Sequence, residues 1–187
     1  MVSIYVVNNG GQWTHRIYRI LKELGINTKI ISNNTPVEKV NTDSLVLSGG
    51  ALSMSVSDYE KTNLANYLEM DIPILGICFG MQFIASYFGG KVGKAEVPEY
   101  GPVLIKIISK DRLFSEVPDE FIAWENHSDE VKKTNLEIIA SSDNCKVQAI
   151  KKPDSLIYGV QFHPEVNDTH FGRKIFENFI DIVKDYR

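Results

Sequence analysis

The chain has 187 residues, 43% of them hydrophobic, and a formal net charge of −4. One domain over residues 1–187 is expected from a prior of ~100–200 residues per domain, and the scattered, slightly acidic charge speaks against nucleic acid or an anionic membrane surface as a partner. No apolar run nears the ~18 residues of a membrane span, the opening Met1-Val2-Ser3-Ile4-Tyr5 lacks the basic start of a signal peptide, and two cysteines do not make a disulfide framework, so a cytoplasmic setting is expected.

In chain order, residues 4–7 form a short apolar strand. Residues 13–24 follow with Ile17, Ile20, Leu21 and Leu24 on a helical stripe, stopped by Gly25. Strands are expected at 28–31 and 45–47. Asp58 can cap a helix running to about Met70. The apolar run at 72–77 is a strand without period-two alternation, as expected where both faces are covered. A helix at 81–88 comes next. The second half holds short strands at 103–108, 121–124, 136–140, 147–150 and 156–160 without intervening helices, which predicts antiparallel pairing. A helix over 174–186 closes the chain. The fold class is therefore α/β: an open mixed sheet, helices on both faces, and a small antiparallel part in the second half.

The chemistry centres on Gly76-Ile77-Cys78-Phe79-Gly80. A strand runs into a cysteine flanked by glycines and then into a helix, the cysteine counterpart of a nucleophile elbow. A free thiol has a pKa of ~8.5, and a helix N-terminus with a neighbouring imidazolium lowers it. Downstream, Gly159-Val160-Gln161-Phe162-His163-Pro164-Glu165 offers an imidazole and a carboxylate two residues apart. In an extended segment both point the same way, so Glu165 would orient His163, which takes and returns the cysteine proton. The Phe79 N–H would face an oxyanion formed on Cys78. Gly49-Gly50, at the end of the 45–47 strand, supplies either a second oxyanion donor at Gly50 or an ordinary turn. Cys145 reads as incidental, His15 and His170 as surface groups, and Cys78, His163 and Cys145 lack the close ligand pair of a zinc site, so no metal is expected.

These motifs together resemble the class I, triad-type glutamine amidotransferase family over essentially the whole chain, a fold of flavodoxin-like type. The resemblance implies that Cys78 attacks the side-chain amide of glutamine, with His163 as general base and acid and Glu165 as its orienter. It implies an oxyanion hole from Gly50 and Phe79, and glutamine binding by Gln82, Ser128 and Asp129. Within the family, Asn9-Gly10-Gly11-Gln12-Trp13-Thr14-His15-Arg16, Glu99-Tyr100-Gly101 and Trp124-Glu125-Asn126-His127-Ser128-Asp129-Glu130-Val131 resemble the glutaminase of the two-subunit form of GMP synthase. That implies a separate ATP-pyrophosphatase (synthetase) subunit that carries ATP and Mg²⁺ and aminates XMP, with no cofactor in this chain. Alternatives are the glutaminase subunit of anthranilate, aminodeoxychorismate or carbamoyl phosphate synthesis, or a stand-alone γ-glutamyl cysteine hydrolase. His127 reads equally as a structural histidine or a partner contact. Two departures stand out: Ala51 replaces the proline usual after the glycine pair, which would let the Gly50 peptide rest flipped, and Ser128 stands where many relatives have glycine. Exposed interface candidates are residues 9–15, 97–101 and 126–130.

Overall fold

A computed structural model gives the fold and describes residues 2–50 and 62–187. Among the described residues, nine strands form one sheet in the order β2-β1-β3-β4-β9-β8-β7-β5-β6. The first-half elements are β1 (Ile4–Asn9), α1 (Thr14–Glu23), β2 (Ile30–Ser32), β3 (Ser44–Gly50), α2 (Leu64–Leu68), β4 (Ile74–Ile77) and α3 (Phe79–Tyr87). The second half adds β5 (Lys91–Ile107), β6 (Glu120–Lys133), β7 (Glu137–Ser141), β8 (Ala149–Lys151), β9 (Ile157–Val160) and α4 (Gly172–Tyr186). Strands β2, β1, β3, β4 and β9 run parallel to one another. With β9 in fifth place, they have the 2-1-3-4-5 order of flavodoxin-like sheets, whose ligands gather where the order reverses, beyond the strand ends.

The apolar runs explain the layering. Along β3, Val46 packs with Ile17, Leu21, Phe176 and Phe179 of α1 and α4, while Leu45 and Leu47 pack with Leu64, Tyr67, Phe83 and Ile84 of α2 and α3. Strand β4 repeats this with Leu75 and Ile77 on one face and Ile74 on the other. A strand apolar at every position is thus the middle of a three-layer sandwich. Helix α1 ends as expected. Gly25 has φ +76°, its N–H donates to Lys22 O, and the Ile26 N–H donates to Leu21 O, the paired bonds of a Schellman motif.

Three expectations need correction. The strands expected at 103–108 and 121–124 are short pieces of the long hairpin β5–β6, which continues through polar sequence to pairs such as Glu99 with His127 and Tyr100 with Asn126. Backbone ladder bonds do not require apolar side chains, so hydropathy stops short of the true ends. Helix α3 starts at Phe79, directly on the elbow, and not at Met81. The segment from His163 to Glu165 is a turn and not extended: the Val166 N–H donates to His163 O across Pro164 and Glu165 at 3.2 Å. Asp58 and Ala51 lie outside the described residues, so the expected cap and the peptide flip attributed to Ala51 do too.

The elbow depends on two close backbone approaches. A Cβ placed on Gly80 would stand 2.3 Å from the Leu47 carbonyl oxygen, and one on Gly76 would stand 2.6 Å from the Gly80 carbonyl carbon. Both obstacles are backbone, which cannot move aside without parting α3 from β3 and β4. Gly80→Ala is therefore expected to lower the unfolding free energy in urea by ~1–3 kcal/mol or more. An unchanged urea midpoint would show that the approach is not required.

Candidate active site

Strand β4 ends by handing the chain to Cys78 at φ 51°, ψ −107°, a conformation disfavoured for a side-chain-bearing residue. Two backbone bonds hold it there: the Cys78 N–H donates to Val160 O of β9 at 2.7 Å, and the Cys78 carbonyl accepts from the Gln82 N–H at 3.0 Å. The sulfur consequently sits at the N-terminus of α3, the positive end of the helix dipole.

His163 reaches the same place from β9. Its N–H donates to Trp124 O at 2.9 Å, and its carbonyl accepts the Thr169 hydroxyl at 2.6 Å. That hydroxyl oxygen also accepts the Trp124 N–H, so β6 and the turn after β9 are pinned together. His163 Nδ1 lies 2.8 Å from Glu165 Oε1, and its ring also hydrogen-bonds Cys78. The Trp13 ring packs edge-on to the imidazole at a centroid distance of 4.4 Å. All three groups are buried, with Cys78 7%, His163 4% and Glu165 2% exposed. Burial opposes a charge on His163, but the Glu165 carboxylate and the Cys78 sulfur outweigh it and push the pKa up to about 10. At neutral pH the ring is therefore a cation facing the sulfur.

A cavity of about 280 Å³ opens above this group. It is lined by Cys78, His163, Glu165 and Asn126 and by the glycine turns Gly10-Gly11 and Gly49-Gly50, with Gln12 and Trp13. An isolated bridge joins Gly10 to Gly50. The cavity thus lies at the ends of β1, β3 and β4, beside the reversal of strand order. Gly50 lines it, with its Cα packed so tightly that a Cβ would stand 2.8 Å from Asn9 O and 3.1 Å from Phe79 Cγ. Phe79 is the first residue of α3, directly after Cys78.

The other expected site residues lie elsewhere. Gln82 is buried, its Nε2 donating to Asp129 O at 2.8 Å and to Gln161 Oε1 at 3.1 Å. The Asp129 carboxylate pairs with Lys94 at 2.8 Å, and Ser128 is exposed. None of the three lines the cavity at Cys78. The interface candidates are only partly exposed, since Asn9, Thr14, Glu99, Gly101, His127 and Glu130 are buried. His15 and His170 are exposed, as expected.

A second grouping of the same residue types is also present: donor atoms of Glu99, His127 and Cys145 lie within 4.8 Å of one another. Its chemistry is different. Glu99 accepts from Ser142 at 2.8 Å and Gln148 at 2.8 Å and lies 3.0 Å from His127 Nε2. Burial pushes the Cys145 thiol above its ordinary range, and its S–H donates to Val147 O. None of these residues lines the cavity at Cys78. Burial disfavours the Glu99 charge, but hydrogen bonds from His127 and Ser142 overcome it and lower its pKa. In neighbouring Glu125 burial dominates, and the pKa rises well above the carboxylate range, with Glu99 and Cys78 adding to the shift.

Sequence reasoning missed Trp13 as a wall against His163, Asn126, whose carbonyl lies 3.9 Å from the Cys78 sulfur, and Gln161, whose Nε2 lies 3.4 Å from it. Only Gln161 left a local signal, its place two residues before His163.

Comparison with known proteins agrees with this geometry. Residues 5–183 match the family model described as glutamine amidotransferase class-I. A protein of Thermoplasma volcanium, named as a glutamine-hydrolyzing GMP synthase subunit, is 45% identical over 191 aligned positions, covering 100% of this chain and 95% of that protein. A crystal structure from Thermoplasma acidophilum, described as that of a GMP synthase subunit protein, superimposes with a TM-score of 0.93 at 45% identity, covering 100% of this chain and 96% of the other. A glutamine amidotransferase from Thermotoga maritima shares the fold with a TM-score of 0.74 at 21% identity, covering 99% of this chain and 83% of the other. By the family match, the length over which these relatives align, and the Cys78-His163-Glu165 arrangement, this chain belongs to the class-I glutamine amidotransferases.

Proposed function

We propose that this chain is the glutamine-hydrolysing component of a GMP synthase and works with a separate ATP-pyrophosphatase subunit that aminates XMP. The observation that carries this reading is the full-length similarity, at 45% identity, to a protein named as a glutamine-hydrolyzing component of that enzyme. In the proposed reaction the Cys78 sulfur attacks the side-chain carbonyl carbon of glutamine. The oxyanion takes hydrogen bonds from the N–H groups of Phe79 and Gly50. His163 gives its proton to the departing nitrogen, ammonia leaves, and a γ-glutamyl thioester remains on Cys78. His163, now neutral, draws a proton from water, the hydroxide adds to the thioester, and glutamate departs with the sulfur restored. Gln82 and the backbone at Ser128 and Asp129, which stand outside the cavity at Cys78, would come to hold the amino acid end of the substrate once it displaces the Gln82–Asp129 bond. ATP and Mg²⁺ belong to the partner, which consumes the ammonia.

In this reading the isolated chain is a slow glutaminase. The Gln82 amide is already engaged by Asp129 and Gln161, and substrate binding must exchange those bonds. The test is reconstitution with an ATP-pyrophosphatase chain, ATP, Mg²⁺ and XMP. Glutamine is expected to support GMP formation, and glutamate release is expected to rise well above that of the isolated chain. Glutamate release that the partner leaves unchanged, with no GMP from glutamine, would refute the assignment.

A further inference from the structure

Beneath the Cys78 sulfur, on the side away from the solvent, lies a side chain that the reaction above does not use. Gln161 is fully buried, and its Nε2 points at Cys78 Sγ from 3.4 Å. Its orientation is set by its neighbour. Gln82 Nε2 donates to two oxygens, Asp129 O at 2.8 Å and Gln161 Oε1 at 3.1 Å. Because a side-chain amide has its oxygen on one side and its NH₂ on the other, accepting from Gln82 turns the Gln161 NH₂ toward the sulfur. Reversing the amide would set two NH₂ groups face to face and leave the sulfur without this donor. Beyond Asp129 the chain of contacts continues, for His127 Nδ1 also lies 2.9 Å from Asp129 O. The Gln161 backbone is fixed as well, with its N–H donating to Gln148 O at 2.8 Å.

We propose that Gln161 is a further residue of the reaction machinery, a fixed donor that holds charge on the Cys78 sulfur and ties the nucleophile to the Gln82–Asp129 segment. This rests on Cys78 being the nucleophile. A hydrogen bond to the charged form of an acid favours that form. The oxyanion donors act on the substrate oxygen, and His163 must surrender its proton during the cycle. Gln161 has no proton to lose and stabilises the sulfur both before attack and as leaving group when the thioester hydrolyses. The other titratable groups facing the sulfur are His163 and Glu165 beyond β9, and Glu125 on β6. The link to Gln82 gives the donor a second property: a substrate that displaces the Gln82–Asp129 bond perturbs the amide that contacts the sulfur.

The experiment is the pH dependence of iodoacetamide alkylation, followed by mass spectrometry at the Cys78 peptide, in the full chain. Gln161→Met keeps the length and removes the donor; Gln161→Glu sets a carboxylate against the sulfur. In Gln161→Met the alkylation midpoint is expected to move up by about one pH unit, a roughly tenfold slower reaction below the midpoint. In Gln161→Glu it moves further in the same direction. With the partner present, kcat of Gln161→Met is expected to fall ~10–100-fold, the loss of a bond to a charged group, with KM within about twofold. An unmoved midpoint in both variants, or a defect in KM alone, overturns the proposal. Should Gln161→Met not fold, Gln82→Met tests the same bond from its other end: it frees the Gln161 amide to turn, and an unmoved midpoint there is equally fatal. Alkylation titrates the sulfur whether or not the chain hydrolyses glutamine. Failure of Cys78 as nucleophile would therefore show as retained glutamine hydrolysis in Cys78→Ala, separately from the alkylation profile.

Discussion

Cys78→Ala is expected to abolish glutamine-dependent product formation by the reconstituted complex, by a factor on the order of 10⁶ as when a triad nucleophile is removed from subtilisin, while ammonium-dependent formation stays at the wild-type rate. The elbow makes this a clean experiment. Cys78 is held at φ 51° by backbone bonds to Val160 and Gln82, and both survive the change. Alanine carries the same Cβ, so it meets the same backbone strain and loses only the sulfur's contacts with Gln161, Asn126 and His163. The fold therefore persists and the loss is chemical. Cys78→Gly extends the test: glycine adopts positive φ without a Cβ, so this inactive variant should be more stable than Cys78→Ala by roughly 1 kcal/mol in urea unfolding. Glutamine-dependent turnover surviving in Cys78→Ala would remove Cys78 from the nucleophile's role.

How far the site could be read from the sequence follows from how local each part is. The elbow is legible because its causes are adjacent: an apolar strand, the cysteine, and two glycines whose spacing admits α3 against Leu47. The pairing of His163 with Glu165 was also legible, although the expected extended geometry is replaced by a turn that brings Glu165 to the ring nitrogen Nδ1. What escaped lies in contacts across the fold. Gln161 and Gln82 meet only because β9 inserts beside β4 as a parallel neighbour, pairing Ile74 with Ile157. Glu99, Glu125 and His127 carry the composition of a surface, yet they are buried on one face of the hairpin β5–β6, where Glu99 pairs with His127 and Glu125 lies two residues before it. Charge predicts exposure only until a network of partners takes the place of water. Trp13 was visible as the start of a helix, but its contact with His163 requires β1 and β9 to be placed first.

The Glu165→Gln variant tests whether the carboxylate works through its charge or only as a hydrogen-bond acceptor. Glutamine keeps the shape and can still accept from His163 Nδ1, but it cannot hold a proton on the ring. Burial works against the imidazolium, and the Glu165 carboxylate is the largest of the influences that overcome it and raise the pKa to about 10. Without that charge, the ring pKa falls toward or below the ordinary ~6.5, and at about pH 8 the sulfur loses its cation and the leaving nitrogen its proton donor. A fall in kcat on the order of 10³–10⁴ is expected, comparable to removing the orienting carboxylate of a serine protease triad. The pH profile carries the sharper signature. In the wild type the alkaline limb of kcat/KM should lie near pH 10, where His163 deprotonates, and in the variant it should move down by several units. The stability effect has a matching sign. A folded-state pKa above the unfolded ~6.5 contributes stability that is fully present below that pH and is lost as pH rises toward 10. The advantage of wild type over Glu165→Gln in urea unfolding should therefore be larger at about pH 6 than at about pH 10. An alkaline limb that stays in place would show that the carboxylate only orients the ring.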